Sequence, residues 1–384
     1  MTREGIRLFR GLGTGHARSL DGLRGVAVLS VLVYHTGLIR GGFLGVDVFF
    51  ALSGFLITRL LIEEHAATGA IDLRAFYIRR GLRLLPALFA FLGFWGLYLA
   101  ATLPLAYWSV AGAYIFVVAL YVANWAGIWW YKLGIFGHTW SLAIEEQFYL
   151  VWPLAILALL RQVKHPRRIA WMLATLAAVS ALWRLDLALA GASERRLYWG
   201  TDTHADGLLI GAAVAFFIDR AGVDRSPGWL RPIASLSALA LLAMLIAVPI
   251  APSYAYGVTA LAALATAVVI VGALGRTCPL VTRVLETRAL AGTGRVSYAL
   301  YLWHFPIFHS LGVLKLPGDH APWTDILLAW GLTVAAAGAS YVLVERPALA
   351  YKDRFTWHRN PPPAVRSLPP ISARGLGSSA RYFL

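Results

Sequence analysis

Arg24 and His35 stand eleven residues apart in an apolar segment near the start of the chain. On an α-helix this spacing is close to three full turns, so both side chains project from one face, about 16 Å apart along the axis. An imidazole can exchange a proton near neutral pH, and a guanidinium can hold a phosphate or a carboxylate. The pair therefore indicates acid–base chemistry near an anion site. The alternative is a histidine hydrogen-bonded within a helix bundle and an arginine that anchors the helix at the membrane surface.

A second group of cations, Arg79, Arg80 and Arg83, precedes another apolar segment. The spacing of three between Arg80 and Arg83 puts two guanidiniums on neighbouring positions of one helix face. Two such forks side by side suit a phosphate or a pyrophosphate. A plain cytoplasmic anchor explains the same residues, and spacing alone does not separate the two interpretations.

Two carboxylates and a glutamine enter an apolar segment together in the run SLAIEEQFY, residues 141–149. Glu145 and Tyr149 are four residues apart and share a helix face. A carboxylate there can orient an imidazole or accept a proton from a substrate hydroxyl. A water-exposed cap at the membrane surface is an equally good interpretation of this run.

Further polar side chains occur in otherwise apolar segments, where ionisable groups are costly and are candidates for function. They are Asp47 and Ser53 in GVDVFFALSGFL (45–56), Asp206, and His304 in SYALYLWHFP (297–306). Ser53 lies in no G-x-S-x-G pattern and has no base beside it in sequence, so helix packing next to Gly54 is favoured over nucleophilic chemistry.

A metal site is not expected. Asp202, His204 and Asp206 lack the spacing of a recognised cage, and a single cysteine, Cys278, excludes disulfides and thiolate zinc sites.

The composition places these residues in a membrane. The 384 residues are 59% hydrophobic and 14% charged, with a mean hydropathy of +0.66, which is too apolar for a soluble domain. The net charge of +15 arises from short basic clusters between apolar segments. Such clusters are typical of cytoplasmic loops, so they indicate topology and not nucleic-acid binding.

We therefore predict an all-α, polytopic bundle of transmembrane helices with eleven candidate segments. They are 23–38, 43–62, 84–103, 109–124, 142–160, 169–190, 205–218, 232–250, 254–274, 296–314 and 324–344. Ten crossings put every basic cluster on the cytoplasmic side, with both termini there as well. One of 84–103, 109–124 and 142–160 then does not cross fully, and 109–124 is the main suspect for a re-entrant or interfacial element.

The ends of the chain differ from this core. Residues 1–19 form a basic cytoplasmic segment that leads into an uncleaved first span, and residues 20–347 form the membrane domain. Residues 348–384 are basic and Pro-rich, so we expect a disordered cytoplasmic tail. A solvated tail is favoured over one that binds anionic lipid headgroups.

The ordered set of motifs resembles the integral-membrane acyltransferase family 3, of the O-acetyltransferase type. Arg24 and His35 match its Arg/Lys-x10-His signature, and the resemblance continues in the runs 45–56, 80–83, 141–149, 202–207 and 297–306 and in Glu345-Arg346-Pro347. Each motif alone is weak, but together they follow the family's order over residues 18–347.

The resemblance implies a ten-helix core in the bacterial plasma membrane that uses cytosolic acyl-CoA, usually acetyl-CoA, to acylate a hydroxyl group. The acceptor would be a sugar, a glycolipid, a cell-surface polysaccharide or a macrolide. It also implies roles for individual residues. We assign catalysis to His35, Glu145 and Tyr149, donor binding to Arg24, Arg80 and Arg83, and acceptor binding to Asp47, Ser53, Asp206 and His304.

Two departures from the family pattern affect these expectations. His204 stands where we expect an arginine, which puts a role for that side chain in doubt. We expect no extracytoplasmic esterase-like domain after the membrane domain, which favours a member that modifies lipids, sugars or antibiotics by itself. Direct transfer and transfer through a side chain such as Tyr149 both remain open. The rival function is a proton-coupled transporter or an exporter of a glycan or lipid.

Overall fold

The computed structural model describes residues 18–130, 132–218, 228–250, 257–315 and 317–355, without the side chains of 352 and 353. Within these ranges the chain is helical and contains no β-strand, which confirms the all-α class. Most of the predicted basic segment 1–19, most of the basic cluster 220–231 and most of the tail 348–384 lie outside the described residues.

The described helices comprise longer ones that coincide with the apolar segments and short ones that lie between or beyond them. They are α1 Arg18–His35, α2 Gly45–Thr68, α3 Leu73–Thr102, α4 Trp108–Ala119, α5 Ala123–Trp129, α6 Thr139–Gln162, α7 Pro166–Leu189, α8 Glu194–Trp199, α9 Thr201–His204, α10 Asp206–Phe217, α11 Leu230–Ala247, α12 Val258–Leu274, α13 Pro279–Leu285, α14 Arg288–Arg295, α15 Ser297–Ser310, α16 Trp323–Ser340 and α17 Arg346–Lys352. A π-helical turn, Tyr341–Glu345, joins α16 to α17.

Six helices of the described ranges are long and apolar enough to cross the hydrocarbon core, and α12 with α13, bent by 96°, makes a seventh if taken as one span. The chain is thus a multi-pass membrane protein. The first segment, α1, falls short of this criterion because it carries Arg18, Asp21 and Arg24 in 18 residues. The helices α10 and α15 have only 12 and 14 residues. The count of ten crossings and the side of the termini stay predictions.

The segment suspected of not crossing is short in the structure. Helix α4 has 12 residues and ends at Ala119, which is about 18 Å of helix against a hydrocarbon core of about 30 Å. Tyr121 follows with a positive φ of 54°, and the chain turns into the short helix α5. The flanking segments form α3 and α6, which are both long enough to span.

Helix α2 is the centre of the bundle. In the helical stretch Gly42–Thr68, which contains α2, 89% of the most apolar 18-residue window is buried inside the protein. The same fraction is 17–33% in the other long helices. It packs on α1, α6, α10 and α12. At the crossing with α10, a Cβ atom on Gly54 would lie 1.9 Å from the carbonyl oxygen of Leu208, and one on Gly211 would lie 1.9 Å from that of Ala51. These glycines allow the two backbones to approach.

Candidate active site

A pocket opens between α1, α2, α3, α6 and α15. It has about 620 Å³ of space between atoms, part of it continuous with solvent. It is lined by Arg24, Val46, Phe49, Phe50, Arg80, Arg83, Leu84, Ser141, Leu142, Glu145, Tyr149, Ser297, Tyr298 and Tyr301. We call it the basic pocket. The fold thus brings together all three arginines predicted to bind the donor and two of the three predicted catalytic residues.

Arg80 lies at the centre of the charges in the basic pocket. Its guanidinium carbon is 3.5 Å from the centroid of the Tyr149 ring. Its Nη2 is 3.8 Å from Glu145 Oε1 and 3.7 Å from Glu146 Oε1, which is beyond hydrogen-bond distance. Its buried Nε has no hydrogen-bond partner among the described residues. The cation is neutralised by its neighbours but retains a donor for a ligand.

The three arginines of α3 do not act together. Arg83 follows Arg80 by almost one turn and lines the same pocket, where the charge of Arg24 acts on it. Arg79 instead donates from Nη2 to Glu64 Oε2 at 3.0 Å and from Nη1 to the carbonyl oxygen of Phe355 at 2.8 Å. Successive residues on a helix point about 100° apart, so Arg79 ties α3 to the end of α2 while Arg80 and Arg83 face the pocket.

A hydroxyl–carboxylate cluster lies beside Arg80. Tyr149 Oη donates to Glu145 Oε1, and Ser53 Oγ contacts both of these oxygens. Ser53 comes from α2 and lies behind Glu145 and Tyr149, outside the pocket lining. The sequence analysis found no base near Ser53 along the chain and therefore predicted a packing role. In the structure the carboxylate of Glu145 lies beside Ser53. The adjacent Gly54 does serve packing, as expected.

His35 belongs to a cluster of three histidines and does not line the basic pocket. His304 Nε2 lies 3.2 Å from His35 Nδ1, and the ring of His138 is centred 5.5 Å from that of His304. We call these three residues the histidine cluster. His304 is fully buried, whereas His35 is partly exposed. The sequence reasoning missed His138, whose only signal is its place three residues before the run 141–149.

Tyr301 stands between the basic pocket and the histidine cluster. Its hydroxyl lies 2.6 Å from Ser141 Oγ in the pocket wall and donates to the carbonyl oxygen of His138 at 3.0 Å. Its ring is centred 5.5 Å from that of His138 and 5.4 Å from that of His304. Tyr301 therefore contacts both the basic pocket and the histidine cluster.

Asp47 and Asp206, predicted to bind the acceptor, lie outside the basic pocket. His204 Nε2 pairs with Asp47 Oδ1 at 2.8 Å, and Arg184 Nη2 donates to Asp206 Oδ2 at 2.7 Å. Arg184 Nη1 also donates to the carbonyl oxygen of Thr203 at 2.5 Å. All four side chains are almost completely buried. This buried ion-pair network engages Asp47 Oδ1 and Asp206 Oδ2 away from the basic pocket, and acceptor binding by these two residues stays a prediction.

The network contains one residue that the sequence reasoning missed. Arg184 interrupts the apolar helix α7, and an arginine inside a span is itself a signal of function or pairing. The network also touches the pocket wall, because the ring of Phe50 is centred 5.3 Å from that of His204. His204 thus has a defined place as the partner of Asp47. Within the described ranges, no three His, Cys, Asp or Glu side chains come together as metal ligands.

Comparison with known proteins agrees with the resemblance seen in the motifs. A family model described as an acyltransferase domain, acyltransferase 3, matches residues 18–345. The peptidoglycan O-acetyltransferase OatA of Listeria monocytogenes is 31% identical over 371 residues, which are 89% of this chain and 59% of OatA. YrhL of Bacillus subtilis, provisionally named a peptidoglycan O-acetyltransferase, is 32% identical over 85% of this chain and 54% of its own length.

The chain therefore spans just over half the length of the relatives it matches. No solved structure gives a significant match.

Proposed function

Because the chain belongs to the acyltransferase 3 family, we propose that it transfers an acyl group, acetyl first among them, from cytosolic acyl-CoA to a hydroxyl group of a glycan at the bacterial plasma membrane. The observation that carries this proposal is the bond from Tyr149 Oη to Glu145 Oε1 inside a pocket that also holds three arginines. A hydroxyl paired with a carboxylate is a nucleophile beside its base. The arginines match the negative charge of the donor.

The donor fits the charges of the basic pocket. Arg80 is held at 3.7–3.8 Å from its carboxylate neighbours, and Arg83 makes no hydrogen bond with the described residues. Arg83 can therefore turn to a phosphate, and Arg80, beside Tyr149, to the thioester oxygen, without breaking a short ion pair. The lining of the basic pocket also contains apolar side chains that suit the acyl group of the thioester, namely Val46, Phe49 and Leu142.

We propose that transfer begins on Tyr149. Glu145 accepts the phenol proton, Tyr149 Oη attacks the thioester carbonyl, the carbon–sulfur bond breaks, and the thiolate leaves with the proton as free CoA. Arg80, stacked on the Tyr149 ring, stabilises the developing negative charge. Direct attack by the acceptor on the thioester is the alternative. We favour the two-step route because Tyr149 Oη lines the pocket and is already hydrogen-bonded to a base, Glu145.

The second step takes place towards the histidine cluster. Nδ1 of His35 is paired with His304, which leaves Nε2 to accept the proton of the acceptor hydroxyl. The acceptor oxygen then attacks the Tyr149 ester, the bond from the carbonyl carbon to Tyr149 Oη breaks, and Tyr149 regains a proton as His35 loses one. Acyl group and proton are both conserved, and the enzyme returns to its starting state.

The acceptor is proposed from the relatives. OatA is named for peptidoglycan, so hydroxyl groups of peptidoglycan-type glycans come first. Glycolipids and macrolides, which the motif resemblance also implied, belong in the same panel of acceptors. The alternative of a proton-coupled transporter is not favoured, because the match to the acyltransferase family covers residues 18–345.

The test is thiol release from acetyl-CoA by the purified protein with this panel of acceptors. We expect acceptor-dependent turnover by wild type and none by His35→Ala. His35→Ala should still release one equivalent of thiol and carry one acetyl group on the peptide that contains Tyr149, because only the second step is blocked. Tyr149→Phe should release no thiol.

The matched control is His309→Ala, on the same helix as His304 but exposed and outside the cluster. It should turn over at the wild-type rate. Wild-type turnover by folded His35→Ala would contradict the role of His35. An acetyl group absent from Tyr149 during turnover would contradict the two-step route and leave direct transfer.

A further inference from the structure

A second pocket adjoins the basic pocket. It has about 360 Å³ of space between atoms and is lined by Arg83, Arg295, Tyr298, Tyr341, Glu345 and Leu349. Arg83 and Tyr298 line both pockets, so the two share this pair as a common wall. The new walls come from the end of α14, the π-helical turn and α17. Four residues line this pocket alone and have no role in the transfer described above: Arg295, Tyr341, Glu345 and Leu349.

The charges of the second pocket favour an anion. Arg295, the last residue of α14, is exposed and makes no hydrogen bond or ion pair with the described residues. Arg83 is likewise without a hydrogen bond there. The single carboxylate, Glu345, is buried and accepts a bond from Ser340 Oγ at 3.3 Å. Two cations with spare donors therefore face a space that contains one engaged carboxylate.

On the basis of the proposed function, we infer that the second pocket binds the phosphates at the nucleotide end of the acyl-CoA donor and that Arg295 is a binding residue for them. The donor is a long molecule with its thioester at one end and its phosphorylated nucleotide at the other. The thioester end would lie in the basic pocket, next to the Tyr149–Glu145 pair. The nucleotide end would lie in the second pocket, where Arg83, which lines both pockets, is joined by Arg295. The Tyr298 ring, fixed by a 3.2 Å bond from its hydroxyl to the carbonyl oxygen of Leu84, provides an aromatic wall between them.

Location supports this inference. Arg295 ends the basic cluster 276–295, which the charge pattern places on the cytoplasmic side together with Arg80 and Arg83. A cytosolic donor arrives from that side. An anionic lipid headgroup offers the same phosphate chemistry, and the experiment must separate the two sources.

The probe is adenosine 3′,5′-bisphosphate, which carries nucleotide phosphates but neither thioester nor pantetheine. Its binding to the full chain is measured in nanodiscs of phosphatidylcholine. We expect acetyl-CoA to displace it and Arg295→Gln to weaken it about tenfold, as loss of a charge-assisted hydrogen bond predicts. Arg288→Gln, the same change at the exposed first residue of the same helix, should bind like wild type.

Kinetics provide a second measurement. Arg295→Gln should raise the KM for acetyl-CoA about tenfold and leave kcat unchanged, because the residue is remote from the reacting atoms. Equal weakening by Arg288→Gln and Arg295→Gln would overturn the inference in favour of a general surface charge. Displacement of the bisphosphate by added phosphatidylglycerol, with no effect of acetyl-CoA, would overturn it in favour of a lipid site.

Failure of the inference is distinguishable from failure of the proposed function. Acetyl transfer by wild type with an unchanged KM in Arg295→Gln would refute the pocket assignment alone. Specific binding of the bisphosphate that depends on Arg295 and is reversed by acetyl-CoA, without any acyl transfer, would refute the function and leave the binding site.

Discussion

The basic pocket and the buried ion-pair network use the same kinds of side chain in opposite ways. In the network, Arg184, Asp206, His204 and Asp47 form contacts of 2.7 and 2.8 Å and are almost fully buried. In the pocket, Arg80 stays 3.7–3.8 Å from two carboxylates and has an unpaired Nε among the described residues. Arg184 Nε and Asp47 Oδ2 in the network are also without a hydrogen-bond partner among the described residues, so the two regions differ in the length of their ion-pair contacts.

This difference separates a network that joins helices from the cluster that we propose to bind a ligand. A buried arginine is costly unless a partner is held close to it, and removal of either partner leaves an uncompensated charge. Short contacts therefore indicate a cluster whose task is to join helices, here α2, α7 and α10. Long contacts beside open space indicate a cluster that completes its hydrogen bonds with a ligand. The sequence alone did not distinguish Asp47 and Asp206 from the residues that line the pocket, because both groups are polar residues in apolar segments.

The largest effect should come from Glu145→Gln in the basic pocket. Without the carboxylate, Tyr149 has no base, so turnover should fall about 100-fold to 10,000-fold. The midpoint of thermal unfolding in detergent should stay close to wild type, because Glu145 makes no short ion pair. If Glu145→Gln lowered the yield of folded protein as much as it lowered activity, Glu145 would be a structural residue and the distinction between the two regions would be wrong.

Arg184→Met should do the reverse. It removes one partner of a buried ion pair and leaves Asp206 charged, which costs about 3–5 kcal/mol of stability. The measurement is the free energy of unfolding in detergent, with Arg184→Met/Asp206→Asn as the matched control. The double variant should recover part of the loss, since the uncompensated charge is gone. A strong effect on turnover with normal stability would place Arg184 in the reaction after all.

Asp47→Asn should have an intermediate effect. The side chain keeps its shape and its acceptor for His204, but the new amide group points where Oδ2 has no hydrogen-bond partner among the described residues. An unsatisfied buried donor costs about 1–3 kcal/mol. Thermal unfolding reads this loss, and the KM values for donor and acceptor should not move. A change confined to the acceptor KM would restore the predicted role of Asp47 in acceptor binding.

Tyr301→Phe should give the smallest change and sharpen the boundary between the pocket and the histidine cluster. The ring stays in place, and only the bonds to Ser141 and to the His138 carbonyl are lost. This costs about 0.5–1.5 kcal/mol per hydrogen bond at most. Turnover should remain within a few-fold of wild type, whereas Tyr301→Ala should change it strongly by opening the wall. Equal turnover for both variants would show that Tyr301 does not separate the two regions.

Much of the site was predictable from local spacing. Arg80 and Arg83 face one pocket because they are three residues apart on one helix, and Glu145 reaches Tyr149 because they are four apart. The apolar segments also predicted where helices lie, since a chain in hydrocarbon must satisfy its backbone hydrogen bonds internally. The number of crossings was less accessible, because α10 and α15 are too short to pass a length criterion on their own.

The sequence by itself therefore determined the class of protein, the long apolar helices and the helix faces shared by Glu145 with Tyr149 and by Arg80 with Arg83. The tertiary structure alone decided the pairings between helices. Ser53 meets Glu145 across 92 residues, His35 meets His304 across 269, and Arg184 and His138 join clusters that no local pattern indicates. The physical reason is that helix geometry fixes which neighbours along the chain share a face, whereas contacts between helices depend on how the whole bundle packs.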